Sequence, residues 1–283
     1  MITIKIGGSV VDNLHPSTID DIKKVVEQEG VILVHGGGKE VTKVTEQLGK
    51  EPKFVVSPSG IKSRYTDKET SEIFTMVMSG RINKAIVQML QKNGINAIGL
   101  SGMDGKTIEA NRKKKLMIMN EKGRKQVIDG GYTGKISNVN SDLIKTIMDK
   151  GYTPVISPIA ISEESEFLNV DGDRAAANVA GHVKADKVLF ITNVDGLLME
   201  DKLVEKLSLD EAKAIMPKIG FGMEKKILAA TEALEMGVTE ALIANGQMEY
   251  PISSAIAHNN CTVITKWVKI NFLEIFIKDF QLQ

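Results

Sequence analysis

Three glycine clusters fall where a short apolar run gives way to a longer amphipathic one: Gly7-Gly8, Gly36-Gly37-Gly38, and Gly102 with Gly105. Glycine at such a junction lets the backbone approach a phosphate, and the helix that follows offers unpaired N–H groups at the positive end of its dipole. A tight turn alone also asks for glycine, so the run of three is the stronger signal. Two common nucleotide patterns are absent. No G-x-G-x-x-G follows a strand-like run, and Gly105-Lys106-Thr107 ends like a phosphate loop but has Leu100 where that loop's first glycine belongs.

Charged residues fall in suggestive places. Lys5 lies inside the apolar run 2–6, where a lysine is costly unless it is paired or bound to an anion. Asp173 ends Asn169-Val170-Asp171-Gly172-Asp173, ahead of an alanine-rich helix. Taken alone it reads first as a helix cap and second as a site residue. Lys226, in Gly222-Met223-Glu224-Lys225-Lys226, taken alone reads as a solvated helix lysine. His35 reads as structural, packing or hydrogen-bonding at its turn, while His15, His182 and His258 share no metal-like spacing. Cys261 is the single cysteine, without a partner for an internal disulfide, and reads as a small apolar residue near a strand.

These groups must be positioned by alternating strands and helices. Apolar runs predict strands at 2–6, 31–34, 97–100, 154–156, 187–191, 241–243 and 262–264. Helices are expected at 17–29, with Ser17 as N-cap, from Gly38 through Leu48, and at 67–93, 140–150, 174–183, 209–214 and 223–236. Strands alternating with helices of this length imply crossover connections and an α/β fold with a mainly parallel sheet. Residues 107–135 alternate polar and apolar with little helical period, which predicts a β-hairpin excursion. A lobe boundary is expected in a loop at 162–168, dividing residues 1–167 from 168–265.

Composition narrows the function classes. Lysine plus arginine and aspartate plus glutamate both total 36, so the formal net charge is zero, and aromatics make up 5 % of the chain. Neither suggests a nucleic-acid partner. No apolar stretch approaches the roughly 20 residues that span a bilayer, and no basic segment precedes an apolar run at the start, so the chain reads as cytoplasmic.

Lys5-Ile6-Gly7-Gly8, His35-Gly36-Gly37-Gly38, Asn169-Val170-Asp171-Gly172-Asp173 and Gly222-Met223-x-x-Lys226 occur here in the order and spacing of the amino acid kinase family. The chain resembles its N-acetylglutamate kinase branch over about residues 1–265. Within that branch Gly60-Ile61-Lys62-Ser63-Arg64-Tyr65-Thr66-Asp67, Gly102-Met103-Asp104-Gly105 and Gly131-Tyr132-Thr133-Gly134-Lys135 are similar to the LysZ-type kinases. Those phosphorylate glutamate or 2-aminoadipate tethered to the small acidic carrier protein LysW, in lysine or arginine biosynthesis.

The resemblance implies an open αβα sandwich, with ATP over residues 168–265, the acceptor over 1–167, and a homodimer built on the N-terminal lobe. It also implies roles. Lys5 and Lys226 hold the transferring phosphoryl, Asp173 fixes both lysines, and the N–H groups of Gly8, Gly37 and Gly38 bind phosphoryl and acceptor oxygens. Gly36 and Gly37 border the acceptor, Arg64 grips its α-carboxylate, and Asn169 contacts its amide-bearing end. Thr192, Asn193, Asp195, Gly196, Gly222 and Met223 meet the nucleotide, although many relatives carry aspartate at the place of Asn193. Mg²⁺ rides on the ATP phosphates, with no protein metal site. The chemistry agrees, because a carboxylate nucleophile with a pKa of roughly 4.3 is already ionised at neutral pH and needs no general base.

Two rivals share the fold: an N-acetylglutamate kinase acting on the free acid, and a catalytically silent nucleotide-binding sensor. Retention of Lys5, Asp173 and Lys226 together argues against the sensor. The carrier reading is favoured by the longer Lys62-Ser63-Arg64-Tyr65 stretch and by segment 105–135, where nine basic residues face three acidic ones, a local +6 that suits an acidic partner. Residues 266–283 extend past the resemblance. They carry Trp267 and, at helical spacing, Phe272, Phe276 and Phe280, a stripe expected to dock on the body or a subunit interface.

Overall fold

A computed structural model describes residues 1–8, 15–220 and 222–266. The expected stripe at Trp267, Phe272, Phe276 and Phe280 lies outside the described residues. From the N-terminus, β1 (Ile2–Ile6) leads through α1 (Ser17–Gln28) to β2 (Val31–His35) and α2 (Gly38–Gln47). A hairpin of β3 (Phe54–Val56) and β4 (Lys62–Arg64) precedes α3 (Lys68–Thr75), a π-helical stretch (Met76–Ile82) and α4 (Asn83–Lys92). β5 (Ala97–Leu100) opens onto β6 (Ile108–Arg112), β7 (Lys115–Met119), β8 (Lys125–Asp129) and β9 (Gly134–Val139). Then come α5 (Ser141–Asp149), β10 (Thr153–Ile156), β11 (Ile159–Ile161), β12 (Phe167–Asn169) and α6 (Gly172–Val183). The last third holds β13 (Lys187–Thr192), the short β14 (Leu198–Met199) and β15 (Lys202–Leu203), and β16 (Lys206–Ser208). It ends with α7 (Leu209–Ile215), α8 (Met223–Glu235), β17 (Glu240–Asn245), α9 (Pro251–Ile256) and β18 (Cys261–Thr265).

Eight strands form one sheet in the order β16-β18-β17-β13-β1-β2-β10-β5, all pairs parallel except β17 with β18. Side chains alternate across a strand, and here both faces are covered. Ile32, Val34, Val188, Phe190 and Ile243 share one core with α5 to α8. Ile2, Ile4, Leu33, Leu189 and Leu242 share the other with α1 to α4 and α9. The result is a three-layer αβα sandwich, and burial on both faces explains why the central strands read as unbroken apolar runs.

Register decides the fate of Lys5. It stands opposite Val34 and Phe190, both on the α6–α8 side. The same period of two that sends Ile4 and Ile6 to one core sends Lys5 towards α6 and α8.

Several expectations change. Helix α1 begins at Ser17, but position 16 precedes it without a side-chain cap, and the Ser17 hydroxyl instead pairs with His15 and accepts from the Tyr250 N–H. Residues 67–93 form one helical run, yet its middle is π-helical. The 107–135 excursion is two nested antiparallel pairs, β6 with β9 and β7 with β8. The 162–168 loop is mostly the turn of an antiparallel pair, β11 with β12. The sequence reading missed β3, β4, β11, β12 and β14 to β16, each only two or three residues long and too short to show a period.

Phe190 is fully buried at the centre of β13. Phe190→Ala should lower the unfolding free energy by about 3–5 kcal/mol. Urea denaturation checks this through a fall in midpoint with an unchanged slope.

Candidate active site

The site is assembled from the first turn of α6 outward. Asp171 is the N-cap, its carboxylate accepting from the Asp173 and Arg174 N–H groups at 3.0 and 3.1 Å. This corrects the reading of Asp173 as a cap. With the cap supplied two residues earlier, Asp173 is free to turn under the sheet. Its Oδ1 lies 2.7 Å from Lys5 Nζ and its Oδ2 3.1 Å from Lys226 Nζ. The three side chains are 8, 7 and 14 % exposed for Lys5, Asp173 and Lys226. Lys226 is therefore not the solvated helix lysine that its local sequence suggests. The Arg174 guanidinium grips Glu232 through two bonds of 2.9 and 2.6 Å, so α6 and α8 are pinned together one residue along from Asp173.

Burial alone would raise the Asp173 carboxyl, but Lys5 and Lys226 outweigh it and hold the group at about 2. Burial and the adjacent Lys5 charge pull Lys226 below the ordinary lysine range, against the Asp173 attraction. Two ammonium groups share one carboxylate, leaving a surplus positive charge in a nearly dry place. Such a charge is costly in isolation and favours an incoming anion.

The glycine turns meet directly above. Gly7 donates to the Ile191 carbonyl and Gly36 to that of Ile6, which anchors the two turns on adjacent strand ends. A Cβ on Gly8 would lie 2.3 Å from Gly37 N, and one on Gly36 2.7 Å from Gly8 N. Backbone contact this close explains why side chains are excluded at both positions. Gly38 carries no such steric demand. His35 is buried, with Nδ1 3.0 Å from the Gly36 carbonyl and Nε2 3.2 Å from the Asn83 amide nitrogen. Burial pushes its pKa down to about 4, with Lys5 and Lys84 adding to the effect against the Gly36 bond.

A cleft of about 450 Å³ opens beside the two lysines. Of the residues singled out from sequence, it gathers Lys5, Gly8, Thr192, Asn193, Gly196, Gly222, Met223 and Lys226. Its described lining leaves out Asp195, whose carboxylate accepts from Asn245 at 2.8 Å. Leu197, Leu198 and Met199 add an apolar wall that the sequence reading did not single out. Gly36, Gly37, Gly38, Arg64 and Asn169 stand outside that lining. Arg64 Nη2 donates to the Gly38 carbonyl and to Thr42, at 2.9 and 2.6 Å, while its buried Nη1 has no partner among the described residues. Asn169 donates to Thr66 at 3.0 Å. The basic excursion is partly spoken for: Arg112 pairs with Glu166 at 2.7 Å and stacks on Tyr132. Lys113 is half-buried rather than free, whereas Lys114 and Lys115 are exposed.

The chain belongs to the amino acid kinase family, which residues 1–245 match. It is 83 % identical over 264 residues to a protein of Nitrosopumilus maritimus, covering 93 % of this chain and 99 % of that one. That relative is named, provisionally, a LysW-aminoadipate/LysW-glutamate kinase. A Metallosphaera sedula protein of the same name, there without qualification, is 48 % identical over 258 residues, 91 % of this chain and 97 % of its own. A crystal structure from Streptococcus mutans superposes with a TM-score of 0.76 at 23 % identity, covering 94 % of this chain and 98 % of that one, which supports the fold.

The His35 environment makes a pH prediction. An unfolded histidine titrates near 6.5 and the folded one near 4, so between these values the unfolded chain holds the extra proton and stability falls on acidification. The loss should be on the order of 3 kcal/mol between pH 6.5 and 4. Chemical denaturation at stepped pH checks it, and His35→Asn, lacking the titrating group, should show a flatter dependence across that window.

Proposed function

We propose that this chain transfers the γ-phosphoryl group of ATP to the side-chain carboxylate of 2-aminoadipate or glutamate held on a LysW-type carrier, giving an acyl phosphate. The supporting observation is the buried pair of lysines on Asp173 beside a cleft and two touching glycine turns, in a chain 83 % and 48 % identical to proteins of that name. On this reading the acceptor sits over residues 1–167 and the nucleotide over 168–265. A carboxylate oxygen bonds to the γ-phosphorus as the bond to the bridging oxygen of ADP breaks. No proton moves, because the nucleophile is already ionised. Charge neutralisation and alignment then supply the catalysis.

Lys5 and Lys226 stabilise the charge that builds on the phosphoryl and leaving oxygens, and Asp173 keeps both ammonium groups in place. The Gly8, Gly37 and Gly38 N–H groups hold phosphoryl and acceptor oxygens at a helix start. Leu197 and Met199 suit the flat face of a base, with Asn193 and Gly196 nearby. Arg64 offers its Nη1, without a partner among the described residues, to the acceptor's α-carboxylate, a planar task that suits guanidinium. Mg²⁺ supplies further neutralisation when carried on the nucleotide. Both Asp173 oxygens already face ammonium groups within 3.1 Å, so phosphate oxygens would hold the ion. A place in lysine or arginine biosynthesis, in the cytoplasm and as a homodimer, completes the proposal; no helix among the described residues is long and apolar enough to cross a membrane.

Acyl-phosphate trapping with hydroxylamine, using tethered and free acceptors side by side, tests the assignment. The tethered acceptor should be turned over with the higher kcat/KM; preference for free N-acetylglutamate would move the chain to the free-acid reaction. Lys226→Ala should lower kcat by at least about 100-fold while changing the KM for ATP by a few-fold, since its charge matters most in the transition state. Arg64→Ala should instead raise the acceptor KM at every salt concentration.

A further inference from the structure

We infer that Asn83 and His35 form a positioning relay that orients the Gly36–Gly37 peptide so that the Gly37 N–H is turned towards Gly8, which lines the cleft. The inference rests on the kinase reading above for its consequence, and on geometry for its mechanism.

Asn83 is 1 % exposed in the interior of a long helix, an unfavourable place for a side chain that competes with backbone bonds. Its burial is compensated on every side. The amide nitrogen donates to the Val155 carbonyl at 2.9 Å and stands 3.2 Å from His35 Nε2, while its oxygen accepts from Lys84 at 3.2 Å. An amide nitrogen has no lone pair to offer, so His35 Nε2 must be the acceptor and the ring proton must sit on Nδ1. That proton points at the Gly36 carbonyl, 3.0 Å away. In a trans peptide the C=O and the following N–H point in opposite directions. Drawing the Gly36 carbonyl to the buried ring therefore turns the Gly37 N–H the other way, to the side where Gly37 N packs against Gly8.

The π-helical stretch Met76–Ile82 ends just before Asn83. It places Ser79 beside Ser157 at 2.8 Å, and Met78 and Ile82 against Gly37. Helical insertions of this kind recur at functional sites because they re-aim a side chain within a run that is otherwise regular. Here the side chain re-aimed is Asn83, and the element it reaches is the turn that the phosphoryl group meets. Neither Asn83 nor His35 touches the reacting atoms in this arrangement. They act through one peptide plane.

The test has a spectroscopic arm and a kinetic arm. Two-bond ¹⁵N–¹H correlation spectra of the full chain should show His35 as the neutral Nδ1–H tautomer at pH 7; an Nε2–H tautomer would overturn the relay. His35→Asn can still present an N–H at the Nδ1 position, whereas His35→Leu cannot. Both lose the acceptor for Asn83 and should unfold at similar temperatures. The relay predicts that His35→Asn keeps kcat within about 3-fold of the parent, while His35→Leu loses at least 10-fold in kcat with little change in the KM for ATP. Equal kcat in the two variants, or losses that follow melting temperature alone, would show a purely structural role. Absence of acyl-phosphate formation by the parent chain would count against the kinase reading instead, and the tautomer measurement decides the relay independently of it.

Discussion

The structure turns on one carboxylate shared by two ammonium groups. Asp173 accepts Lys5 on one oxygen and Lys226 on the other, all three nearly sealed from water. A buried trio with a surplus positive charge does not stabilise a fold well, because desolvation costs more than the pairing returns. The rest of the molecule is arranged around tolerating that cost. Lys5 sits on the central strand, held on both sides by parallel neighbours. Asp173 is oriented by the Asp171 cap, and Lys226 is carried on a helix clamped to α6 by Arg174 and Glu232. Three separate chain segments thus deliver three charged ends to one point without long, mobile reach.

The same economy governs the turns. Strand ends β1 and β2 are adjacent in the sheet, so the turns that leave them are neighbours, and only glycine allows the two backbones to touch. The contact places amide groups beside the lysines, which gives a site made mostly of main chain and fixed charges. Phosphoryl transfer from a preionised carboxylate asks for little more, as its barrier is lowered by alignment and by charge already in place. Arg64, bridging the hairpin β3–β4 to the start of α2 through Gly38 and Thr42, brings a guanidinium whose Nη1 has no partner among the described residues to the edge of that amide array.

The parallel sheet was legible in the sequence because its strands are buried on both faces and separated by helices of sufficient length. The charged site was only half legible. Lys5 stood out as a cation in an apolar run, but Lys226 and Asp173 read locally as a surface lysine and a cap, and only the ordered motifs joined them. What joins them physically is register and helix packing, neither of which a local window contains. Asp171 and Asp173 are equally suited to capping by type, so a local window does not choose between them, and Asn83 lies in a helical run whose π-helical middle departs from the 3.6-residue period that marks a buried face. Arg112 and Lys113 counted as free charge until tertiary contacts placed one on Glu166 and Tyr132 and left the other half-buried.

The central claim is that the Lys5–Asp173–Lys226 cluster matches the charge of the phosphoryl group in transit rather than that of bound nucleotide. Calorimetric affinities for ADP alone, and for ADP with fluoroaluminate and acceptor as a mimic of the transferring group, test it most directly when compared between the parent chain and Asp173→Asn. The account predicts that ADP binding changes by no more than a few-fold, while affinity for the mimic falls by at least about 30-fold, because the lysines lose the group that holds them. Equal losses for both ligands, or an unchanged affinity for the mimic, would contradict it.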